Sequence, residues 1–129
     1  MYEARLCVYD TLECLIRFEL LTKHIRDMVD KFLDNFASNK DLRIKIQKQT
    51  VGNLVKITEH IISNVETLRD KYRLFSKVKA ISTKGNEVTN VMAYKRRDVL
   101  KYVGKEYNSI KRLVQVADIG DLPAFLPHL

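Results

Sequence analysis

The histidines and cysteines are the side chains of this sequence that could bind a metal ion or perform acid–base chemistry. The three histidines, His24, His60 and His128, lie far apart, and none has a cysteine or acidic residue at the spacing typical of a zinc site. Cys7 and Cys14 are seven positions apart, which on a helix separates them by about 10 Å, too far for a disulfide. We therefore predict no metal site, no cofactor and free, buried thiols.

Arg17 and His24 have a spacing that occurs in one class of catalytic site. The stretch RFELLTKH (17–24) places an arginine and a histidine about two helical turns apart. This R-x6-H spacing resembles the motif of HEPN-type helical ribonucleases, which implies RNA cleavage by an all-α protein of this size. The resemblance covers two residues, and Phe18 stands where that motif has a small or polar residue. Since no Ser/His/Asp, Cys/His, paired-carboxylate or Gly-rich phosphate arrangement accompanies it, we predict a non-enzymatic protein.

A basic segment, YKRRDVLKYVGKEYNSIKR (94–112), carries seven Lys or Arg residues and two acids, and so most of the net charge of +7. At 100° per residue, four of its cations share one side of a helix with Tyr94, and a fifth lies nearby. These candidate binding residues are Arg97, Lys101, Lys105, Lys111 and Arg112. They would bind an acidic or phosphorylated protein segment, or a nucleic-acid backbone with Tyr94 stacked on a base. The alternative is the solvated face of an amphipathic helix.

Three other charges of the same segment, Lys95, Arg96 and Glu106, are predicted to point toward the apolar side of that helix. Burying an unpaired charge is costly, so each should extend to solvent or find a partner. The acids of the first helix, Asp10, Glu13 and Glu19, are the expected partners of Lys95 and Arg96, because the first and third helices of such a bundle run parallel. We therefore assign these three charges a structural role.

The hydrophobic pattern predicts long helices and almost no strand, because apolar residues recur at intervals of three and four. The helices are expected over residues 3–36, 39–81 and 87–118. Ser38 is the predicted N-cap of the second helix, and Gly120 is the predicted stop after the third. Gly52 follows two β-branched residues, which predicts a kink or a break in the second helix.

The predicted fold class is therefore all-α, an antiparallel up-down-up bundle of three long helices, or of four with a break near Gly52. Residues 1–120 are expected to form one helical-bundle domain. Residues 121–129 form an apolar tail that contains both prolines. Because the first 122 residues contain no proline, nothing of that kind interrupts the helices.

The first helix carries a second apolar face. Val8, Leu12, Ile16 and Leu20 recur every fourth residue and form an apolar ladder that faces away from much of the main stripe. A helix that is apolar on two sides must bury both. We expect the ladder to contact a helix of a protein partner or a second copy of the chain. Cover by the chain's own tail or by residues 39–50 is the alternative.

Composition places the chain among globular proteins. A length of 129 residues fits one domain, and 46% hydrophobic with 30% charged residues is a globular balance. No run approaches the roughly 20 apolar residues that span a bilayer, and the N-terminus lacks the features of a signal peptide. We expect an intracellular protein, in the cytoplasm or the nucleus.

The stretch KRRDVLKYV (95–103) resembles the start of the basic helix in chaperone-cofactor BAG domains. The predicted three-helix shape is also similar to focal-adhesion-targeting-type bundles. Both resemblances imply binding through helix faces, and neither assigns a role to a particular residue. With the stripe and the ladder, they predict an adaptor or scaffold module that binds proteins. Nucleic-acid binding through the basic third helix is the alternative.

Overall fold

The protein, seen in a computed structural model, is a bundle of three helices that each contact the other two. The structure describes the backbone of residues 11–81 and 85–123, and the side chains of 11–72 and 96–123. The helices are α1 (Thr11–Asn35), α2 (Leu42–Ile81) and α3 (Gly85–Ala117). The described backbone contains no strand. The predicted all-α bundle is confirmed.

The core is built from one apolar stripe of each helix, with Phe18 as its largest fully buried side chain. The buried apolar residues are Cys14, Leu15, Phe18, Leu21, Ile25, Val29 and Phe32 from α1, Val51, Leu54, Ile61, Ile62 and Val65 from α2, and Val99, Leu100, Val103, Tyr107, Ile110, Val114 and Ala117 from α3. Two buried threonines donate their hydroxyls to carbonyls of the preceding turn, Thr22 to Phe18 at 2.7 Å and Thr58 to Val55 at 2.9 Å. The core therefore accommodates both hydroxyls without leaving them unpaired.

Asp41, and not Ser38, caps the N-terminus of α2. Its carboxylate accepts a hydrogen bond from the backbone N–H of Arg43 at 2.8 Å, and its carbonyl accepts one from Lys45 at 3.0 Å. The side chain of Asn39 accepts from the Asp41 N–H at 2.9 Å, which forms the preceding turn. The predicted Ser38 cap is wrong because Asp41 stands directly before the first helical residue, where a carboxylate reaches the second free N–H.

The end of α3 is fixed by a side chain of α2. The Gln47 Nε2 donates hydrogen bonds to the carbonyls of Ala117 at 2.6 Å and Asp118 at 3.1 Å. Asp118 has a φ of 53°, the left-handed conformation that turns a chain out of a helix. The predicted stop, Gly120, lies beyond this point. It has a φ of 140°, and a Cβ placed there would lie 2.9 Å from Met28 Cε of α1.

Helix α2 is continuous through Gly52, so the predicted break there is wrong and the bundle has three helices in its described part. A glycine costs about 1 kcal/mol inside a helix. That cost is small beside the burial of Val51 and Leu54 on either side of it, which requires the helix to continue. At 40 residues, α2 is about 60 Å long.

Neither α2 nor another described helix has a stretch apolar enough to cross a membrane.

Gly52→Ala should raise the free energy of unfolding by about 0.5–1 kcal/mol, because alanine favours the helix and restricts the unfolded chain. The methyl group has room, since apart from the adjoining backbone of the same helix no atom lies within 4 Å of the position of a Cβ at residue 52. Urea denaturation followed by circular dichroism measures the change. Gly120→Ala is the matched control, and it should lose stability because its φ is unfavourable for alanine. A loss of stability in Gly52→Ala would contradict the prediction.

Glu19 is a buried carboxylate between α1 and α2. Its side chain is only 6% exposed, and it forms salt bridges with Arg69 of α2 at 2.5 Å and with Lys23, one turn away, at 3.2 Å. Two cations thus offset the desolvation of one carboxylate. The described partners of Glu19 thus lie on α1 and α2, while its predicted pairing with Lys95 involves a side chain outside the described ones.

Candidate functional site

Helix α3 presents a row of cations to solvent because its opposite face lies in the core. Val99, Val103 and Ile110 are buried there. We call the exposed set, which comprises Arg97, Lys101, Lys105 and Arg112, the basic stripe. It extends about 22 Å along the helix and covers an arc of about 80°. The predicted exposure of these four side chains on one face matches their placement in the structure.

The basic stripe acts as one positive surface. None of its four cations forms a salt bridge with a described acid. Members four residues apart are separated by about 6 Å along the axis, less than the Debye length of about 8 Å at physiological salt. Their potentials therefore add. Asp98 is exposed near one end of the stripe, so the positive potential is strongest from Lys101 to Arg112.

Lys111 is exposed at the edge of the basic stripe. Around the helix it lies about 40° from Arg97 and about 100° from Arg112, and it lines a cavity of about 360 Å³ with Val114 of α3 and with Gly120 and Leu122 of the C-terminal segment. It therefore extends the positive surface toward the C-terminal segment. The side chain of Tyr94, the predicted stacking residue, lies outside the described side chains.

Of Lys95, Arg96 and Glu106, the three charged residues with a predicted structural role, the structure describes the side chains of two. Arg96 and Glu106 are half-buried, and the side chain of Lys95 lies outside the described ones. Burial raises the pKa of the Tyr102 phenol, the neighbouring amide of Asn64 of α2 lowers it, and the charge of Glu106 raises it. Tyr102 is therefore a neutral phenol at pH 7. It marks the line where α2 and α3 meet.

The apolar ladder is partly covered by the chain itself. Leu12 and Ile16 are half-buried, whereas Leu20 is 63% exposed. Val8 lies outside the described residues. Leu20 is thus the most exposed of the three described members of the ladder.

Two of the three residues with catalytic potential on α1 are engaged within that helix or buried, namely Arg17 and Cys14. Arg17 forms a salt bridge with Glu13, with Nη2 at 2.9 Å and Nε at 3.0 Å from the same carboxylate oxygen, while His24 is exposed. Cys14 is a free, fully buried thiol, and burial raises its pKa to about 12. It is therefore a poor nucleophile at pH 7. No group of His, Cys, Asp or Glu side chains within the described part of the chain is arranged to hold a metal ion.

Sequence reasoning missed a second feature of the surface, which is apolar. Leu42 and Ile46 on the first turns of α2 are 69% and 57% exposed, and Val116 on the last turn of α3 is 66% exposed. The sequence contained a signal for this feature, because none of the three residues stands at the helical spacing of the buried apolar residues of its helix. These residues and the basic stripe meet where α2 and α3 adjoin.

Comparisons of the chain with models of protein families, with curated proteins and with solved structures gave no match. The class that the fold defines is the three-helix, all-α bundle. Function must therefore be argued from the surfaces of this bundle.

Proposed function

We propose that the chain is a non-enzymatic helical-bundle module, an adaptor or scaffold, that binds an acidic segment of a protein partner through the basic stripe. One observation carries the proposal: four exposed cations lie in line on one face of α3 without a described acid to neutralise them. The sequence as a whole has a net charge of +7, which adds to the attraction for an acidic partner.

The expected energetics suit a regulatory, reversible contact. An exposed ion pair contributes about 0.2–1 kcal/mol, so four together supply about 2–3 kcal/mol and orient the bound segment. Their common field also speeds association with an acidic partner. An acidic or phosphorylated segment fits, because its charges repeat along a chain as those of the stripe repeat along α3.

A protein partner is favoured over nucleic acid because apolar side chains adjoin the stripe. Ile46 and Val116 are more than half exposed. A phosphate backbone makes no use of such side chains, whereas a protein segment buries them. Nucleic-acid binding through the same cations is the alternative that the experiment separates.

Charge reversal of the stripe is expected to weaken binding of an acidic peptide about 100-fold at physiological salt, since three attractive contacts become repulsive. The variant is Lys101→Glu/Lys105→Glu/Arg112→Glu, and the probe is a labelled glutamate-rich peptide measured by fluorescence anisotropy. The matched control, Arg26→Glu/Lys40→Glu/Lys56→Glu, changes the net charge equally at exposed positions on α1, α2 and the turn between them. It should lose less than about threefold, because it leaves the row of cations on α3 intact.

Equal losses in the two variants would mean that net charge alone attracts the peptide, which would refute the proposal. Short single- and double-stranded oligonucleotides are titrated in parallel at two salt concentrations. Tight, steeply salt-dependent binding of oligonucleotides without binding of the peptide would replace the proposal by nucleic-acid binding.

A further inference from the structure

Three exposed apolar side chains gather at one end of the bundle. Leu42 and Ile46 follow each other on one face of α2, one turn apart, and Val116 stands on the last turn of α3. They are 69%, 57% and 66% exposed. Single exposed apolar residues are ordinary on protein surfaces, but a cluster on two adjoining helices is typical of an interaction site.

Gln47 shows that the two helices place these residues side by side. Its bonds to the carbonyls of Ala117 and Asp118, at 2.6 Å and 3.1 Å, set the first turns of α2 against the last turn of α3. Ile46 and Val116 directly precede residues in this contact. Each is rotated by about 100° from its neighbour, which takes its side chain out of the core.

A second contact between α2 and α3 shows on which side of each helix Ile46 and Val116 lie. Asn64 lies eighteen residues after Ile46, or five full turns, and so in the same column of α2. Asn64 lies beside the phenol of Tyr102, whose pKa it lowers, and Tyr102 lies two heptads before Val116 on α3. Both apolar residues therefore flank the outer line where α2 and α3 meet. The half-buried Leu113 lies between them. We call the surface formed by Leu42, Ile46, Leu113 and Val116 the α2–α3 groove.

The charges around the α2–α3 groove are mainly positive. Lys105 and Arg112 of the basic stripe lie along its α3 side, and Lys45 lies along its α2 side, all exposed. Three exposed acids lie near this end: Asp41 is engaged as the cap of α2, and Asp118 and Asp121 stand past the end of α3. An apolar strip with a basic rim complements a helix that has an apolar face bordered by acids.

We infer that an acidic amphipathic helix of a partner protein docks in the α2–α3 groove, with its apolar side chains on Ile46 and Val116 and its acids on Lys105 and Arg112. The inference rests on the proposed function and names the kind of segment that the stripe binds. A second copy of this chain does not fit, because it would bring like-charged rims together. Four apolar side chains are also too few for the roughly 1,200–2,000 Å² of a stable interface between folded chains.

Two designed peptides test the inference. One is an amphipathic helix with leucines on one face and glutamates beside them, and the other has the same composition in scrambled order. The wild-type chain should bind the amphipathic peptide at least about tenfold more tightly, because only that peptide buries its leucines in the groove. Ile46→Ser/Val116→Ser should bind both peptides equally.

Leu20→Ser is the matched control, because Leu20 is as exposed as the groove residues but lies on α1. It should retain the preference for the amphipathic peptide. Circular dichroism of each variant checks the helical fold, which substitutions at these exposed positions should leave intact. The single variants Ile46→Ser and Val116→Ser should each reduce the preference in part.

The outcomes separate this inference from the proposed function. If both peptides bind equally to the wild-type chain and both lose affinity on charge reversal of the stripe, the groove is refuted while the proposed function stands. Binding of neither peptide refutes both. A preference that survives Ile46→Ser/Val116→Ser, or that disappears in Leu20→Ser, refutes the groove. So does a wild-type dimer that Ile46→Ser/Val116→Ser dissociates, since a second copy would then be the occupant.

Discussion

Phe18→Ala is expected to lower the free energy of unfolding by about 3–5 kcal/mol. Phe18 is the largest side chain without solvent exposure, and it packs among buried residues of all three helices. Truncation removes an aromatic ring and leaves a cavity that three long helices cannot close locally. Since a domain is stable by about 5–15 kcal/mol, a large share of the stability would be lost.

Urea denaturation followed by circular dichroism measures this loss, and Phe36→Ala is the matched control. Phe36 is half-buried in the turn after α1, where its ring lies against Phe32 with the centroids 4.9 Å apart. Its truncation should cost about 1–2 kcal/mol, because less surface is buried and the turn can relax. Equal losses for the two variants would show that the core is not centred on Phe18.

Arg69→Met is expected to lower the free energy of unfolding by about 3 kcal/mol. The substitution keeps much of the side-chain volume but leaves the buried carboxylate of Glu19 with Lys23 as its remaining described partner. An incompletely compensated buried charge is among the costliest single defects in a protein interior. The effect arises from the desolvated acid, not from a loss of packing.

A double variant distinguishes these two causes. Glu19→Leu/Arg69→Met removes both charges and should regain most of the lost stability, because no buried charge is then left unpaired. Lys71→Met, at an exposed position two residues further along α2, is the matched control and should change stability by less than about 0.5 kcal/mol. If Arg69→Met is as mild as Lys71→Met, water and not Arg69 compensates Glu19.

The helices could be predicted because the apolar residues of each recur at helical spacing, as in the buried series Val99, Val103 and Ile110. Local signals were less dependable. Gly52 disfavours a helix by about 1 kcal/mol, but burial of Val51 and Leu54 outweighs it. Ser38 and Asp41 are both good N-caps, and the choice depends on where the turn after Phe36 ends.

The candidate site was predictable in part for a similar reason. The apolar residues of α3 identify the face that packs in the core, and the opposite face must then be exposed. The exposure of Lys101 and Arg112 could therefore be predicted from the sequence. The surroundings of Glu19 and the α2–α3 groove could not. They depend on which flank of each helix faces which neighbour, and a three-helix bundle of either handedness satisfies the same apolar pattern.

The contact between Gln47 and the end of α3 also bears on the order of folding. Its two hydrogen bonds join positions 70 and 71 residues apart. They form only after α2 and α3 have paired as a hairpin, whereas the turns within each helix are local and form early. The last turn of α3 should therefore be completed late and should open together with the hairpin. One amide side chain thus couples the order of this turn to the assembly of the bundle.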